Sequence, residues 1–541
     1  MAAEVFSLSR TLADGTVLHH RPGALEFASL FEREPSLPIE RWIALGQAKV
    51  VKQGPHRIVW HVELPSVSFH LKKNLIPNWR ARMRGWMRGP KARREFGLIE
   101  AVQERGIPTS QALAWAERGG ESYLFTRTLE NVEPLHLYFL RTFQSHDAAA
   151  QTPLRQSIAR ALGSLIAAMH RAGVEHRDLH AGNLLVRMEG ETPRLFLIDL
   201  DAVALVRPLE GERRLANLAM LNAWFRLHTE RTDRLRFWKS YAEANPLLPW
   251  KKFGHDAVSL ANELEQRSAE YSLALWRGRE SRCLGNNRYY QRLSAGATHS
   301  HAVRGLDESL LATQRWNARP ADESFEPTEA DEGRCRWTAI VDTGSTKAAW
   351  KASQAFRERG LPTAETLAAV IRNDGLGGQL LTTTLPKSRL LSALLRTASL
   401  ADRRYWIRRL ADAFRDLHDR GVLWPAPDFE SIAVVPDGDA WIYPNPPSLF
   451  PRVRNGLWFV DLTRMRLQTH IGESDRQRDL ACLAAEASRS DQLRFLRRYL
   501  RWGLKPKEGW KAWWRQIAET LNSIENPRRL SLGGTGAVPA A

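Results

Sequence analysis

Cysteine is scarce in this chain: Cys283, Cys335 and Cys482 are the only three in 541 residues, and they stand far apart without metal-ligand spacing. A disulfide frame and a cysteine zinc site are thereby excluded, and the thiols are expected to be reduced and mostly buried. No run of eighteen apolar residues occurs, so no membrane-crossing helix is expected. The opening residues, Met-Ala-Ala-Glu-Val-Phe-Ser-Leu-Ser-Arg, lack the charged and then apolar regions of a secretory signal, which points to the cytoplasm. Acidic residues are missing from 72 to 94, where Lys72, Lys73, Arg80, Arg82, Arg84, Arg88, Lys91, Arg93 and Arg94 crowd together with Trp79, Trp86, Met83 and Met87. Between residues 50 and 60 glycine is reduced to Gly54.

What is present suits two cores: 43% of the residues are hydrophobic and 26% charged. The net charge of +18 calls for an anionic partner. Tryptophan and methionine interleaved with arginine suit a membrane interface, where aromatics sit at headgroup level and each cation adds about 1 kcal/mol near an anionic surface. A solvated basic loop is the plainer explanation, and nucleic acid is the competing polyanion.

The most informative stretch runs from 173 to 205. Its His176-Arg177-Asp178, four residues, Asn183, an apolar strand, a gap and then Leu197-Ile198-Asp199 space three oxygen-bearing side chains as ATP-dependent phosphoryl transfer requires. Asp178 would accept a hydrogen bond from the acceptor hydroxyl, while Asn183 and Asp199 would coordinate magnesium through hard oxygens. Residues 184–186 and 195–198 read as paired strands, and residues 158–170 as a helix closed by Gly173. Asp199 is followed by Leu200-Asp201 and not Phe-Gly, so a regulatory phenylalanine flip is not assumed.

Upstream, residues 67–72 alternate like a strand, which turns Lys72 and His70 to one face and Lys73 to the other. Glu95 opens a helical stretch through Phe96, Leu98, Ile99, Ala101 and Val102. Their order before the catalytic loop assigns Lys72 to the α- and β-phosphates of ATP and Glu95 to holding it. Residues 50–60 read as a hairpin with Gly54 at its tip, a phosphate cover of one glycine.

With Lys72, Arg94-Glu95, Gly106-Ile107-Pro108-Thr109, His176-Arg177-Asp178, Asn183 and Ile198-Asp199 in place, residues 45 to 240 resemble the bacterial lipopolysaccharide kinase (Kdo/WaaP) family. The resemblance implies a protein-kinase-like fold, ATP and Mg2+ as cofactors, and a Kdo or heptose sugar of the lipopolysaccharide inner core as acceptor. It makes Asp178 the catalytic base, Asn183 and Asp199 the metal ligands, and Lys72 with Glu95 the ion pair. A lipid-linked phosphosugar substrate favours the membrane over nucleic acid for the basic run, with the enzyme peripheral on the inner face of the cytoplasmic membrane.

The second half repeats the first in degraded form. Arg359-Gly360-Leu361-Pro362-Thr363 echoes Arg105-Gly106-Ile107-Pro108-Thr109, residues 410–418 echo the helix before the catalytic loop, and Phe459-Val460-Asp461 echoes Leu197-Ile198-Asp199. Aligning Gly421 with Gly173 sets Trp424, Ala426 and Ser431 against His176, Asp178 and Asn183, and Ala349 falls against Glu95. Asp461 survives, and Asp428 lies near the lost base. The expected architecture is α+β: an extension over 1–40, an active kinase-like domain over 41–270 with a β-rich N-lobe and a helical C-lobe, a degenerate pseudokinase over 271–528, and a disordered tail over 529–541. The acidic stretch 319–333 is expected as an exposed loop, and the segment holding Trp510, Trp513 and Trp514 as a helix under the second C-lobe. A protein Ser/Thr kinase, a small-molecule kinase and a non-catalytic scaffold share these features and stay open as alternatives.

Overall fold

In the computed structural model the chain divides into two compact units, Met1–Ser268 and Ala269–Ala541. The structure describes residues 8–54, 57–75, 89–143, 151–245, 257–307, 309–312, 335–340, 342–385, 388–425, 427–435, 456–460, 465–485, 487–500 and 509–532. The central basic run (76–88), the acidic stretch 319–333, Ala426, Asp461 and the tail after Leu532 lie outside those residues.

The first unit contains a seven-stranded antiparallel sheet. Its strands are β1 (Leu8–Thr11), β2 (Val17–His20), β3 (Ala48–Gly54), β4 (Arg57–Glu63), β5 (Ser68–Asn74), β6 (Ala112–Arg118) and β7 (Glu121–Arg127), in the order β1-β2-β6-β7-β5-β4-β3. Phe69 and Leu71 of β5 point into a core with Phe27, Phe31, Trp42 and Phe125, while His70 and Lys72 take the other face. The segment expected as an extension before residue 41 is instead part of this layer: β2 pairs with β6, and Phe27, Phe31 and Trp42 seal the core. Helix α1 (Lys91–Glu104) lies on the opposite face through Ala92, Phe96, Ile99 and Val102, at the i, i+3, i+4 spacing of an amphipathic helix.

The helical half follows β8 (Glu133–Pro134) and α2 (Leu135–Thr142). Its axis is α3 (Thr152–Arg171), with a proline in its first turn and Ile158, Leu162, Leu165, Ile166 and Met169 buried. Then come β9 (Val174–His176), β10 (Leu184–Glu189), β11 (Thr192–Leu197), β12 (Val203–Leu205), α4 (Gly211–His228), α5 (Arg231–Glu243) and α6 (Ala257–Arg277). At Gly163 the helices α3 and α5 meet almost backbone to backbone, since a Cβ there would lie 2.7 Å from the Phe237 carbonyl oxygen and the Tyr241 nitrogen. The division between the units falls inside α6, not in a linker.

The second unit runs through β13 (Tyr290–Ala295), β14 (Thr298–Val303), β15 (Cys335–Ile340), α7 (Thr343–Glu358), β16 (Thr366–Arg372) and β17 (Gly378–Thr383), whose five strands are ordered β13-β14-β16-β17-β15. After them come β18 (Arg389–Leu390), α8 (Leu391–Thr397), α9 (Leu400–Asp419), β19 (Val422–Leu423), β20 (Ile432–Val434), β21 (Leu457–Phe459), β22 (Arg466–Leu467), α10 (Glu473–Ala484), α11 (Arg489–Tyr499) and α12 (Trp510–Leu532).

The pairings repeat those of the first unit. β15-β17-β16 matches β5-β7-β6, β18-β20-β21 matches β8-β10-β11, and β19-β22 matches β9-β12. The parallel bridge Thr109 to Leu197 returns as Thr363 to Phe459, and the bond from His170 to the Tyr241 hydroxyl returns as His418 to Tyr499. Trp513 is buried in the second helical core and Trp514 packs against it, while Trp510 is exposed. Helix α12 runs through Leu532, past the expected start of the tail at 529. Cys283 and Cys335 are buried and Cys482 half-buried, all as free thiols. No helix among the described residues is long and apolar enough to cross a membrane.

Candidate active site

The catalytic-loop geometry starts at Gly173. Its φ is +69°, and a Cβ there would lie 2.1 Å from the Val206 carbonyl oxygen, so only glycine closes α3 and lets β9 lie beside β12. β9 delivers His176, fully buried, whose Nδ1 accepts the Asp178 N–H at 3.2 Å and whose Nε2 lies 3.1 Å from the Ile198 carbonyl oxygen. Those partners select the tautomer with the proton on Nε2. Burial holds the imidazole below its usual pKa, so it stays neutral and ties the catalytic loop to the strand before Asp199.

The Asp178 side chain stays 62% exposed. Its backbone carbonyl accepts the Asn183 Nδ2–H at 2.8 Å, which fixes the amide and turns Oδ1 away from that bond. His180 lies beside this pair, its Nε2 3.6 Å from the Asp178 carboxylate and its Nδ1 accepting the Gly182 N–H at 3.0 Å.

Strand β11 pairs with β10 from Leu197–Leu184 to Thr192–Glu189, and the Ile198 N–H donates to the Asn183 carbonyl at 3.0 Å. Asn183 and Asp199 are thereby held on adjoining chain segments. Asp199 has a φ of +57°, left-handed backbone that aspartate tolerates better than most residues and that recurs at functional sites. Burial would raise its carboxyl, but the Lys72 ammonium 3.7 Å away and the Arg57 guanidinium at 3.3 and 3.4 Å outweigh it and hold the pKa below the usual carboxylate value.

Lys72 and Glu95 meet as a nearly buried pair, the Nζ 2.8 Å from both carboxylate oxygens. Burial pushes the Glu95 carboxyl upward, and the lysine opposes that shift. Lys73 faces the other way, onto Glu121 at 2.8 Å. The structure therefore gathers Lys72, Glu95 and Asp199 in one cluster, and joins Asp178 to Asn183 and Asn183 to the strand of Asp199. Gly54 remains apart at the end of β3, with open space around its α-carbon, since a Cβ would meet nothing nearer than the Arg57 carbonyl oxygen at 4.0 Å.

Three residues that the motifs did not mark stand in the cluster. Arg57 reaches Asp199 from β4, His180 lies beside Asp178, and Lys91 of α1 binds Asp201 at 2.5 Å. The Leu200-Asp201 departure from Phe-Gly hinted at the last, because it set a carboxylate where glycine would stand. Nothing in the sequence pointed to Arg57.

The donor set fits a magnesium nucleotide. Among the described residues no group of three or more His, Cys, Asp or Glu could hold a metal unaided. Asn183 and Asp199 supply two hard oxygens, and magnesium is ordinarily held by one or two protein ligands with substrate phosphates completing its shell.

The second unit has different side chains at the matching places. Lys72 pairs with Leu124, which pairs with Trp115; in the same register Thr338 pairs with Leu380, which pairs with Ala369. Thr338 thus stands for Lys72, and Ala349 on α7 for Glu95. The Val460 N–H donates to the Ser431 carbonyl as Ile198 does to Asn183, so Ser431 stands for Asn183. Asp428 accepts the Ser431 N–H at 2.6 Å, the capping bond of a tight turn.

Residues 56–241 match the family described as the Lipopolysaccharide kinase (Kdo/WaaP) family. Over 190 residues the chain is 28% identical to the lipopolysaccharide core heptose(I) kinase WaaP of Pseudomonas aeruginosa, covering 33% of this chain and 67% of that protein. It is 28% identical over 224 residues to the 3-deoxy-D-manno-octulosonic acid kinase of Xylella fastidiosa, covering 39% of this chain and 84% of that protein. A solved structure of WaaP in complex with acyl carrier protein is 25% identical, covers 45% of this chain and 95% of that one, and superposes with a TM-score of 0.34. Through residues 56–241 the chain is therefore similar to the lipopolysaccharide kinase (Kdo/WaaP) family, the resemblance its motifs carry.

Proposed function

We propose that the first unit transfers the γ-phosphate of ATP to a hydroxyl of a Kdo or heptose sugar in the lipopolysaccharide inner core, working at the inner face of the cytoplasmic membrane. The observation that carries this reading is the Lys72–Glu95 pair with Asp199 3.7 Å from the same ammonium. In-line phosphoryl transfer needs little covalent chemistry from a protein; it needs charge placed around the phosphates and an acceptor oxygen held in line. Lys72 grips the phosphates, Glu95 fixes Lys72, and Asp178 accepts the proton of the attacking hydroxyl at the exposed mouth of the cleft. Asn183 and Asp199 would hold magnesium, which supplies neutralisation of phosphate charge. His176 keeps Asp178 and Asp199 in register through its two ring nitrogens. The likeness of residues 56–241 to lipopolysaccharide kinases supports this acceptor class.

Both units read as protein-kinase-like, from the repeated strand pairings and the repeated bridge from Thr109 and Thr363. The second unit reads as a pseudokinase, because Thr338, Ala349 and Ser431 cannot replace an ammonium, a carboxylate and a carboxamide. The excess of +18 favours an anionic glycolipid and an anionic membrane surface as partners.

The test is transfer of labelled γ-phosphate from Mg-ATP to purified lipopolysaccharide, with a protein and an aminoglycoside offered in parallel. Label on the glycolipid is the expected result. Label on protein or aminoglycoside alone would move the enzyme to another kinase class, and absence of both label and ATP binding would favour a scaffold.

A further inference from the structure

The hairpin of β3 and β4 brings a guanidinium into the cleft where a run of glycines would have brought backbone amides. Arg57 opens β4 directly across from Gly54, and its side chain reaches Asp199, 142 residues further along the chain. Both terminal nitrogens take part, at 3.3 and 3.4 Å from the two carboxylate oxygens, and the side chains are 25% and 29% exposed. A well-fitted arginine–carboxylate fork closes to roughly 2.7–2.9 Å, so this one is loose. Lys72 faces the same carboxylate from 3.7 Å while bound to Glu95, and Lys52 on β3 adds its own positive field there. Lys72 and Arg57 thus face Asp199 at close range from two strands, within a field to which Lys52 contributes.

Two cations held side by side against one carboxylate suit a polyanion. We propose that Arg57 is a nucleotide-phosphate ligand: without nucleotide it rests on Asp199, and when Mg-ATP enters it transfers its fork to a pair of β- or γ-phosphate oxygens. The inference rests on the ATP-kinase reading of this cleft and deepens it. Arg57 engages both oxygens of Asp199, so releasing it also frees the carboxylate for a cation. Phosphate offers the planar fork the same bidentate geometry as a carboxylate, with more charge. One arginine from β4 would then do what several amides do in a glycine-rich loop, which accounts for a hairpin that has kept only Gly54. The alternative role is structural, a clamp that only steadies Asp199, and it predicts unchanged affinity for metal-free ATP on removal.

The experiment is calorimetric titration of the full chain with Mg-ATP, metal-free ATP and adenosine, for the wild type, Arg57→Gln and Arg57→Lys. The expected result is a loss of at least tenfold in affinity for both ATP forms in Arg57→Gln, a smaller loss of several-fold in Arg57→Lys, and unchanged adenosine affinity in both. Unchanged or tighter ATP binding by Arg57→Gln overturns the proposal and leaves the kinase reading standing. Should Arg57→Gln lose adenosine binding through misfolding, Arg57→Lys decides, and wild-type ATP affinity in it overturns the proposal. A wild type that binds neither ATP form removes the kinase reading itself.

Discussion

The Lys72 ammonium lies 2.8 Å from both carboxylate oxygens of Glu95, although 23 residues separate them, and the two side chains are only 11% and 6% exposed. A charge pair this far from water works as a unit, because either partner alone would be left uncompensated. Lys72→Met and Glu95→Gln are each expected to lower kcat/KM for ATP on the order of 100-fold. The double variant should be no worse than the poorer single one, as steady-state kinetics on all three will show. Additive losses would mean that the two residues act separately.

Gly163 offers a test of helix packing. In an ordinary helix interior, glycine to alanine stabilises by about 1 kcal/mol. Here the added methyl would meet the Phe237 carbonyl oxygen and Tyr241 nitrogen at 2.7 Å, so Gly163→Ala is expected to destabilise by about 1–3 kcal/mol. A lowered thermal midpoint checks it, and a raised one would show that α3 and α5 can separate at little cost.

Acid should loosen the first unit through His170. Burial lowers this imidazole to about 4, only partly offset by its bond to Asn217, and its other nitrogen meets the Tyr241 hydroxyl at 2.8 Å. The unfolded chain takes up the proton near pH 6.5 and the folded one does not. The neutral histidine's contribution is therefore complete above about pH 6.5 and is lost as pH falls toward 4, on the order of 3 kcal/mol across that window. Melting curves between pH 7 and 4 should show the slope, and His170→Gln should flatten it. Equal slopes in the two proteins would assign the acid sensitivity elsewhere.

Asp428 discriminates between an active and an inactive second unit. Its carboxylate accepts the Ser431 N–H at 2.6 Å, as in a capped tight turn. Asp428→Ala is expected to leave phosphate transfer within about twofold of the wild type, a change below the usual reach of general-base removal. A loss of a hundredfold in the same assay would make the second unit catalytic.

The parts of the site that were legible in the sequence are those whose residues stand close together along the chain. His176, Asp178, Asn183 and Asp199 span one loop and one hairpin, so their spacing already carried the geometry. Lys72 and Glu95 were legible through alternation and helical periodicity, although α1 begins four residues before Glu95, at Lys91, where nothing apolar marks its start. Arg57 was not legible, because its link to Asp199 depends on how a hairpin folds over a strand 142 residues away. The strands β1 and β2 were not legible, because they have four residues each and every residue of β1 is exposed, too short a pattern for period-two reading. The repeat in the second half was visible in Gly360-Leu361-Pro362-Thr363 and Gly421, and the register of β15 against β17 added Thr338, which no motif marks.

The central claim, that Asp178 accepts the proton of a hydroxyl receiving the γ-phosphate of ATP, is tested most directly by comparing wild type with Asp178→Asn in transfer of labelled phosphate to lipopolysaccharide, with Mg-ATP affinity measured on both. A fall in turnover of about 10²- to 10⁴-fold with unchanged Mg-ATP affinity is the predicted result. Wild-type turnover in Asp178→Asn would contradict it.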